Sequence, residues 1–487
     1  MVKQKLSSFA AWLRQGQRGV YWAKFFAQLI GLLLIGAVLC FGLLTTSYRM
    51  PGSAQRLEHI NSFLENFGAL PYDCPIEYGN GVSLVDNYVD ILMLDIAAND
   101  LTQTEPLSWR DAAQTALLSP MRSHWGSPYQ ELGCYLRDQG VLSPEAAYTL
   151  SLRQESEPSP ESPYLYGRYW HGYVLWLRPL LTLFTFEQIL GIVGMVQLFL
   201  IALVLGLAWC RQRKLVFPLV VLYAGIGLPS VLCSMPFFSD CMLTSIGLLV
   251  ILCARPRRGR RFAGLLFFLL GAASAFFGFL DYPALTLLAP LGLLLVQRAE
   301  LDVPREGLKT MVLCTICWAL GFVGFWAMKW LLLLIGAPEL LGSVSQQFSV
   351  RSSAGSDGRF AALFYTTLRN SHFFSRQPFG KAFVLIFPIV LLHELCTHGN
   401  IDLRRLVPRY VLPLLLSAGP FVWFFFISEH SSFHAKFVFR LLIVPYFAIA
   451  LTLALPPLPG FCTPAQKLRT KLLRGEKHDR TAATKPR

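Results

Sequence analysis

The chain has 487 residues and a formal net charge of +14, yet only 15% of its residues are charged while 54% are hydrophobic. Soluble domains carry about 25% charged residues, so this composition excludes an ordinary water-soluble protein. The positive balance fits loops that meet anionic lipid, and no nucleic-acid partner is implied.

The chain opens with a basic stretch, 1–21, holding Lys3, Lys5, Arg14 and Arg18. It runs into FFAQLIGLLLIGAVLCFGLL at 25–44. A helix needs about 20 apolar residues to cross a ~30 Å hydrocarbon core, and this run supplies them. It is uninterrupted rather than alternating, which selects a helix over a barrel strand. A cleaved signal peptide is the rival reading. The run exceeds a usual signal core, however, and TTSYRMPG offers no small-x-small cleavage site. The first transmembrane helix is therefore placed at 22–46.

Residues 47–185 form the largest polar piece, with sixteen Asp or Glu, eight Arg and no Lys. Its formal charge of −8 contrasts with +22 for everything else. Turn punctuation (MPGS, LPYDCP, SEPSPESP) surrounds short helical patterns at 54–67 and 108–118. A small helical cap outside the cytoplasm is expected. Most of the eleven cysteines sit in apolar runs, where a thiol packs as a small hydrophobe. Cys74 and Cys134 lie in the cap and are candidates for a disulfide in an oxidising compartment.

Further apolar runs predict spans at 186–210, 215–234, 237–254, 262–280, 283–297, 310–335, 381–396, 408–428 and 437–455. Short cytoplasmic loops carry an excess of Lys and Arg, and here every second connection is basic. RQRK occupies 211–214, RPRRGRR occupies 255–261, and Arg298, Arg305 and Lys309 follow. Three arginines fall within 404–409, and eight Lys or Arg follow Cys462. The alternate connections at 235–239 and 281–282 hold no basic residue. The expected fold is all-α, a polytopic transmembrane helical bundle of about ten spans with both termini cytoplasmic. It comprises a transmembrane bundle at 186–336, an extracytoplasmic loop at 337–380, further spans at 381–456 and a basic tail at 457–487.

This topology gathers polar residues on the extracytoplasmic face. DNYVDILMLD puts Asp86 and Asp90 four apart, on one side of a helix. YGRYWHGYVLWLRPLL puts Arg168, Trp170 and His171 at the membrane boundary. Asp240 lies in FFSDCML, Asp281 in FLDYPALT, and Glu429, His430, His434, Lys436 and Arg440 in SEHSSFHAKFVFR. Each has a plainer reading: helix caps for the aspartates, an interfacial belt for the aromatics, an interface position for His430. Joint placement favours function, because ionisable residues at membrane depth are costly. The loop 337–380 breaks the positive-inside pattern with Arg351, Arg359, Arg369 and Arg376. Arginine grips phosphate through charge-assisted, bidentate hydrogen bonds. The plain alternative for these four is attraction to anionic headgroups.

The layout resembles the GT-C class of membrane glycosyltransferases, which take sugars from polyprenyl-phosphate donors. In that class an early extracytoplasmic loop carries an essential Asp or Glu, and the matching stretch is DNYVDILMLD. RYWHGYVLWLRPLL, FLDYPALTLLAPL and EHSSFHAKFVFR are similar to segments of bacterial multi-span proteins near this class. The acidic pair sits about forty residues after the first span, whereas many members place it within the loop's first turns. Asp86 and Asp90 both remain candidates for the base.

The resemblance implies an enzyme of the bacterial cytoplasmic membrane, with its site facing the extracytoplasmic side. A sugar would move to a lipid, glycan or protein acceptor. A carboxylate takes the proton of the attacking hydroxyl, and carboxylates stabilise an oxocarbenium-like transition state. The phosphate leaving group is met by arginine or lysine, with His434, Lys436 and Arg440 further candidates. No metal-site spacing is visible, and a carboxylate-bound divalent cation, Mg or Mn, is compatible with the pattern. The rivals are a lipid-linked glycan flippase or transporter, and a surface-glycan polymerase or ligase. Spans nearly free of buried charge favour the enzyme, since transporters place charges at the midplane.

Overall fold

The computed structural model describes residues 2–67, 74–78, 81–85, 87–98, 106–121, 164–254, 259–353, 358–377, 380–398 and 403–455. Asp86 and Cys134 fall outside these residues, and with them one member of the acidic pair and the Cys74–Cys134 pairing.

Seven helices among the described residues are long and apolar enough to cross a membrane. They are Val20–Tyr48, Phe186–Arg211, Met235–Cys253, Arg260–Phe277, Pro304–Gly336, Val407–Phe426 and Ala435–Ala454. The chain is a helical, membrane-embedded protein. Three other expected spans take shorter form. The 215–234 run divides into Val216–Gly225 and Leu228–Cys233 around Gly227, at φ +69°. Glycine adopts that left-handed conformation without a Cβ penalty, and Pro229 lacks the N–H to continue a helix. Leu285–Gln297 and Ala382–Cys396 are short apolar helices. The helical patterns expected in the cap are Ser53–Phe67 and Trp109–Leu118. Two small antiparallel pairings accompany them, Cys74–Tyr78 with Gly81–Val85 and Pro120–Met121 with Tyr164–Leu165.

Buried Arg178 ties the cap to the bundle, donating to the carbonyls of Ala97 at 2.6 Å and Ser47 at 3.1 Å. Inside the bundle, Arg260–Phe277 packs on Pro304–Gly336 through glycines. A Cβ on Gly271 would meet the Trp318 carbonyl oxygen at 2.1 Å, and one on Gly321 would meet that of Phe268 at 2.1 Å. Helices in lipid associate through small residues that let backbones approach. This contact carries Phe276 and Phe325 to the ring of Trp170 at 5.7 and 5.6 Å.

The loops read as basic and cytoplasmic meet at one end. Arg260 pairs with Glu306 at 2.6 Å, Arg298 reaches the Gly259 carbonyl at 3.2 Å, and Arg261 reaches that of Tyr21 at 2.9 Å. The expectation of spans nearly free of buried charge does not hold. Lys329, Asp240, Glu394 and Arg409 are all buried. Each has a polar partner, which is the condition for burying charge at tolerable cost. Arg409 pairs with Glu394 at 3.1 Å near one end of the bundle. At the other, the Lys329 ammonium donates to the carbonyls of Ala116 at 3.0 Å and Leu117 at 2.9 Å, closing the helix Trp109–Leu118.

Candidate functional site

At the end away from the basic loops, the turn 278–282 is the hub. Leu280 sits at φ +73°, a conformation uncommon for any residue but glycine. Such backbone outliers cluster at functional sites, where the surroundings enforce them. Asp240, the Phe237 carbonyl and His430 each hydrogen-bond to this turn.

Asp240, in the first turn of Phe238–Cys253, accepts from the Tyr282 amide at 3.2 Å and from the Ser274 hydroxyl at 2.8 Å. Both its oxygens thus fix backbone and helix. The Tyr282 hydroxyl donates to the Phe237 carbonyl. Buried Arg440 lies over Phe237 at 3.9 Å and donates to the Ser230 hydroxyl at 2.6 Å. One helical turn on, Asp90 accepts from the Ser234 hydroxyl at 3.1 Å and from the Met235 amide at 2.7 Å. Asp90 is therefore a buried cap on the short 3₁₀ turn Met235–Phe237.

On the other side of the hub, Phe279 packs on Tyr169, His171 and Tyr173, with ring centroids 5.6, 5.9 and 5.3 Å away. Arg168 sits over the Tyr166 ring at 4.0 Å, and the buried Tyr169 ring lies 5.6 Å from Arg168 and 5.7 Å from Arg351. Arg351 also donates to its hydroxyl. Burial raises the pKa of this phenol, against the opposing pull of Arg351.

The two buried histidines differ. The Nε2 of His171 donates to the Tyr166 carbonyl at 3.0 Å, leaving Nδ1 to accept from the Tyr173 hydroxyl at 3.1 Å. A carbonyl can only accept, which fixes the tautomer. His171 is a satisfied histidine, and burial holds its pKa down to about 3. His430 donates from Nε2 to the Leu280 carbonyl at 3.0 Å. Its Nδ1 is buried and has no hydrogen-bond partner among the described residues. Burial, then Arg351, hold this ring's pKa down to about 3. His434 packs beside it at a tilt of 47°, with centroids 4.6 Å apart.

Arg168, His171, Asp240, Asp281, Arg351, His430 and His434 thus gather around the hub. Others do not join them. Trp170 is core, donating to the Phe325 carbonyl at 2.7 Å. Glu429 is exposed, and Lys436 lies against Phe437 at 5.0 Å. Arg359 donates to the carbonyls of Ser352 and Phe425, both at 3.3 Å. Arg369 and Arg376 are exposed on their helix. Sequence reasoning passed over Lys329, whose charge in the 310–335 run was a visible signal. It also passed over Phe279 and Leu280, which carry no charge to mark them. Among the described residues no three His, Cys, Asp or Glu side chains gather into one group.

The fold and this site define a helical membrane protein with a cationic, aromatic-walled cluster at one end of its bundle. No family model matches the chain, and no curated protein or solved structure matches it.

Proposed function

We propose that the chain is a membrane glycosyltransferase of GT-C type. It moves a sugar from a polyprenyl-phosphate donor to an extracytoplasmic acceptor, a cell-envelope glycan, glycolipid or protein, in a bacterial cytoplasmic membrane. The observation that carries the reading is the convergence of Arg168, Arg351 and His430 on the turn that bears Asp281.

The acceptor oxygen forms a bond to the anomeric carbon as the bond from that carbon to the phosphate oxygen breaks. The electron pair leaves with the phosphate, whose charge the two guanidiniums stabilise. The acceptor's proton needs a base within hydrogen-bond reach. Asp90 and Asp240 have both oxygens committed to holding backbone and hydroxyl groups. Among the described residues Asp281, on the turn itself, is the carboxylate proposed as base, Asp86 lying outside them, with neutral His430 as the acceptor that orients the hydroxyl.

A transporter reading rests on the buried charges. It is the weaker one, because Lys329 closes a helix end and Glu394–Arg409 pairs near the opposite end, whereas transporter sites lie at the midplane. The test is transfer from radiolabelled polyprenyl-phosphate hexoses and pentoses by the protein in lipid vesicles. Loss of transfer in Asp281→Asn with donor binding retained supports the proposal. Donor crossing the bilayer unchanged, with no transfer by the parent protein, supports the rival.

A further inference from the structure

We propose that the helix Arg359–Arg376 lies in the membrane interface at the site's end of the bundle and binds anionic phospholipid headgroups along Arg369 and Arg376. The inference stands whether or not the neighbouring site transfers sugar.

The helix has three distinct faces. Thr366, Asn370 and Phe374, one turn apart in succession, are buried against the protein. Thr366 donates to the Ser428 carbonyl at 3.2 Å and Asn370 to that of Ser431 at 2.9 Å. They hold the short helix Ser428–Phe433, which carries His430. The opposite arc presents Phe360, 81% exposed, with Phe364, Tyr365 and Leu368 also exposed. Along one edge of this arc run Arg369 and Arg376, seven residues apart and so within about 20° of each other around the axis. Both are exposed, and neither has a hydrogen bond or ion pair among the described residues. No Asp or Glu occurs in the helix.

Contacts fix its depth. At the N-terminus the Phe360 ring lies 5.7 Å from that of Phe425, at the end of the span Val407–Phe426. At the other end Phe374 stacks on Tyr446 at 5.6 Å, inside the span Ala435–Ala454. The helix therefore starts at the end of one span and slants inward beside another, and Arg376 reaches the boundary through its long side chain. The apolar helix that follows, Ala382–Cys396, is only about 22 Å long at 1.5 Å per residue, short of the ~30 Å hydrocarbon core. The exposed apolar arc continues onto Val422 and Phe426, exposed residues of a membrane span. Lipid chains are the medium that covers such residues. An amphipathic helix with an apolar arc and edge arginines has the pattern of one lying in the interface plane.

The experiment places a photoreactive benzophenone amino acid at Tyr365 in the full chain, in vesicles of equal parts phosphatidylcholine and phosphatidylglycerol. Mass spectrometry of the adducts is expected to find lipid, with phosphatidylglycerol enriched about fivefold for each arginine engaged. Arg369→Gln with Arg376→Gln should reduce the ratio toward equality, while Lys at both positions should keep most of it. Equal capture of the two lipids by the parent protein overturns the headgroup assignment. Adducts to a second copy of the chain, or none to lipid, overturn the interfacial placement.

Discussion

The Nε2 of His430 donates to the Leu280 carbonyl 3.0 Å away, while Leu280 itself is held at φ +73°. The bond spends the ring's only proton on a backbone oxygen and leaves Nδ1 as a lone-pair acceptor. With the residue 4% exposed, water has little access to it. A ligand that reaches Nδ1 must bring a donor, and a hydroxyl suits better than an ionised phosphate. The resemblance alone gave this residue no such preference.

Two substitutions separate the ring's structural bond from its free nitrogen. Gln at 430 can place an amide N–H near the Nε2 position and keep the contact with Leu280. Asn instead offers an amide oxygen near the Nδ1 position. His430→Gln should fold and insert normally but lose transfer by about tenfold, the worth of one orienting hydrogen bond. A loss of roughly 10²–10⁴-fold would move the role of base from Asp281 to Nδ1. Unchanged turnover in the Gln variant would remove Nδ1 from the mechanism.

Acid should destabilise the protein through its two buried histidines. Burial holds His171 and His430 down to about 3, whereas a solvated histidine titrates near ~6.5. Between these values the unfolded chain binds protons that the folded chain refuses. Their contribution is complete above ~6.5 and lost as pH falls toward ~3. The midpoint of thermal unfolding in detergent should fall from pH ~7.5 to ~4.5, and His430→Gln should show a shallower fall. Identical slopes in the two proteins would exclude His430 as a source of the pH dependence.

Closeness of the Arg260–Phe277 and Pro304–Gly336 helices should depend on hydrogen atoms at two positions. A Cβ at Gly271 or Gly321 meets backbone at 2.1 Å, and backbone cannot swing aside as a side-chain tip can. Gly271→Ala and Gly321→Ala should each cost on the order of 1–3 kcal/mol, as overpacking does. Gly31→Ala, with nothing within 4 Å, is the control and should be neutral or slightly stabilising. Equal stability of all three variants would show that the helices pack less closely than described.

Hydropathy made the long helices legible, because a run such as 186–210 admits few other solutions in lipid. It did not reveal the break at Gly227, where hydropathy stays high but the backbone turns left-handed. The loop charges placed most site residues on a common face. Pairing was not legible: Arg351 and Tyr169 are separated by 182 residues, and no local rule joins them. Nor could composition distinguish the satisfied His171 from His430, since the difference is a hydrogen-bond partner supplied by distant chain. Four arginines in one loop looked equivalent because their sequence does not fix which face of a helix meets the site.

That division among the arginines gives a graded prediction. Arg351 alone of the four touches the aromatic cluster, donating to Tyr169 and lying 5.7 Å from its ring. A planar guanidinium can bond the phenol and a phosphate in one orientation, whereas an ammonium is a point charge without that fork. Arg351→Lys should therefore be nearly as harmful to transfer as Arg351→Ala, and Arg168→Lys should show the same pattern to a smaller degree. Arg369 and Arg376 face away from the cluster, so Lys there should preserve transfer. Arg359 holds the Ser352 and Phe425 carbonyls, and its loss should lower stability by ~1 kcal/mol rather than activity. The measurement is transfer rate at saturating and limiting polyprenyl-phosphate donor for each Lys and Ala variant. Tolerance of Lys at both Arg351 and Arg168 would sink the phosphate clamp.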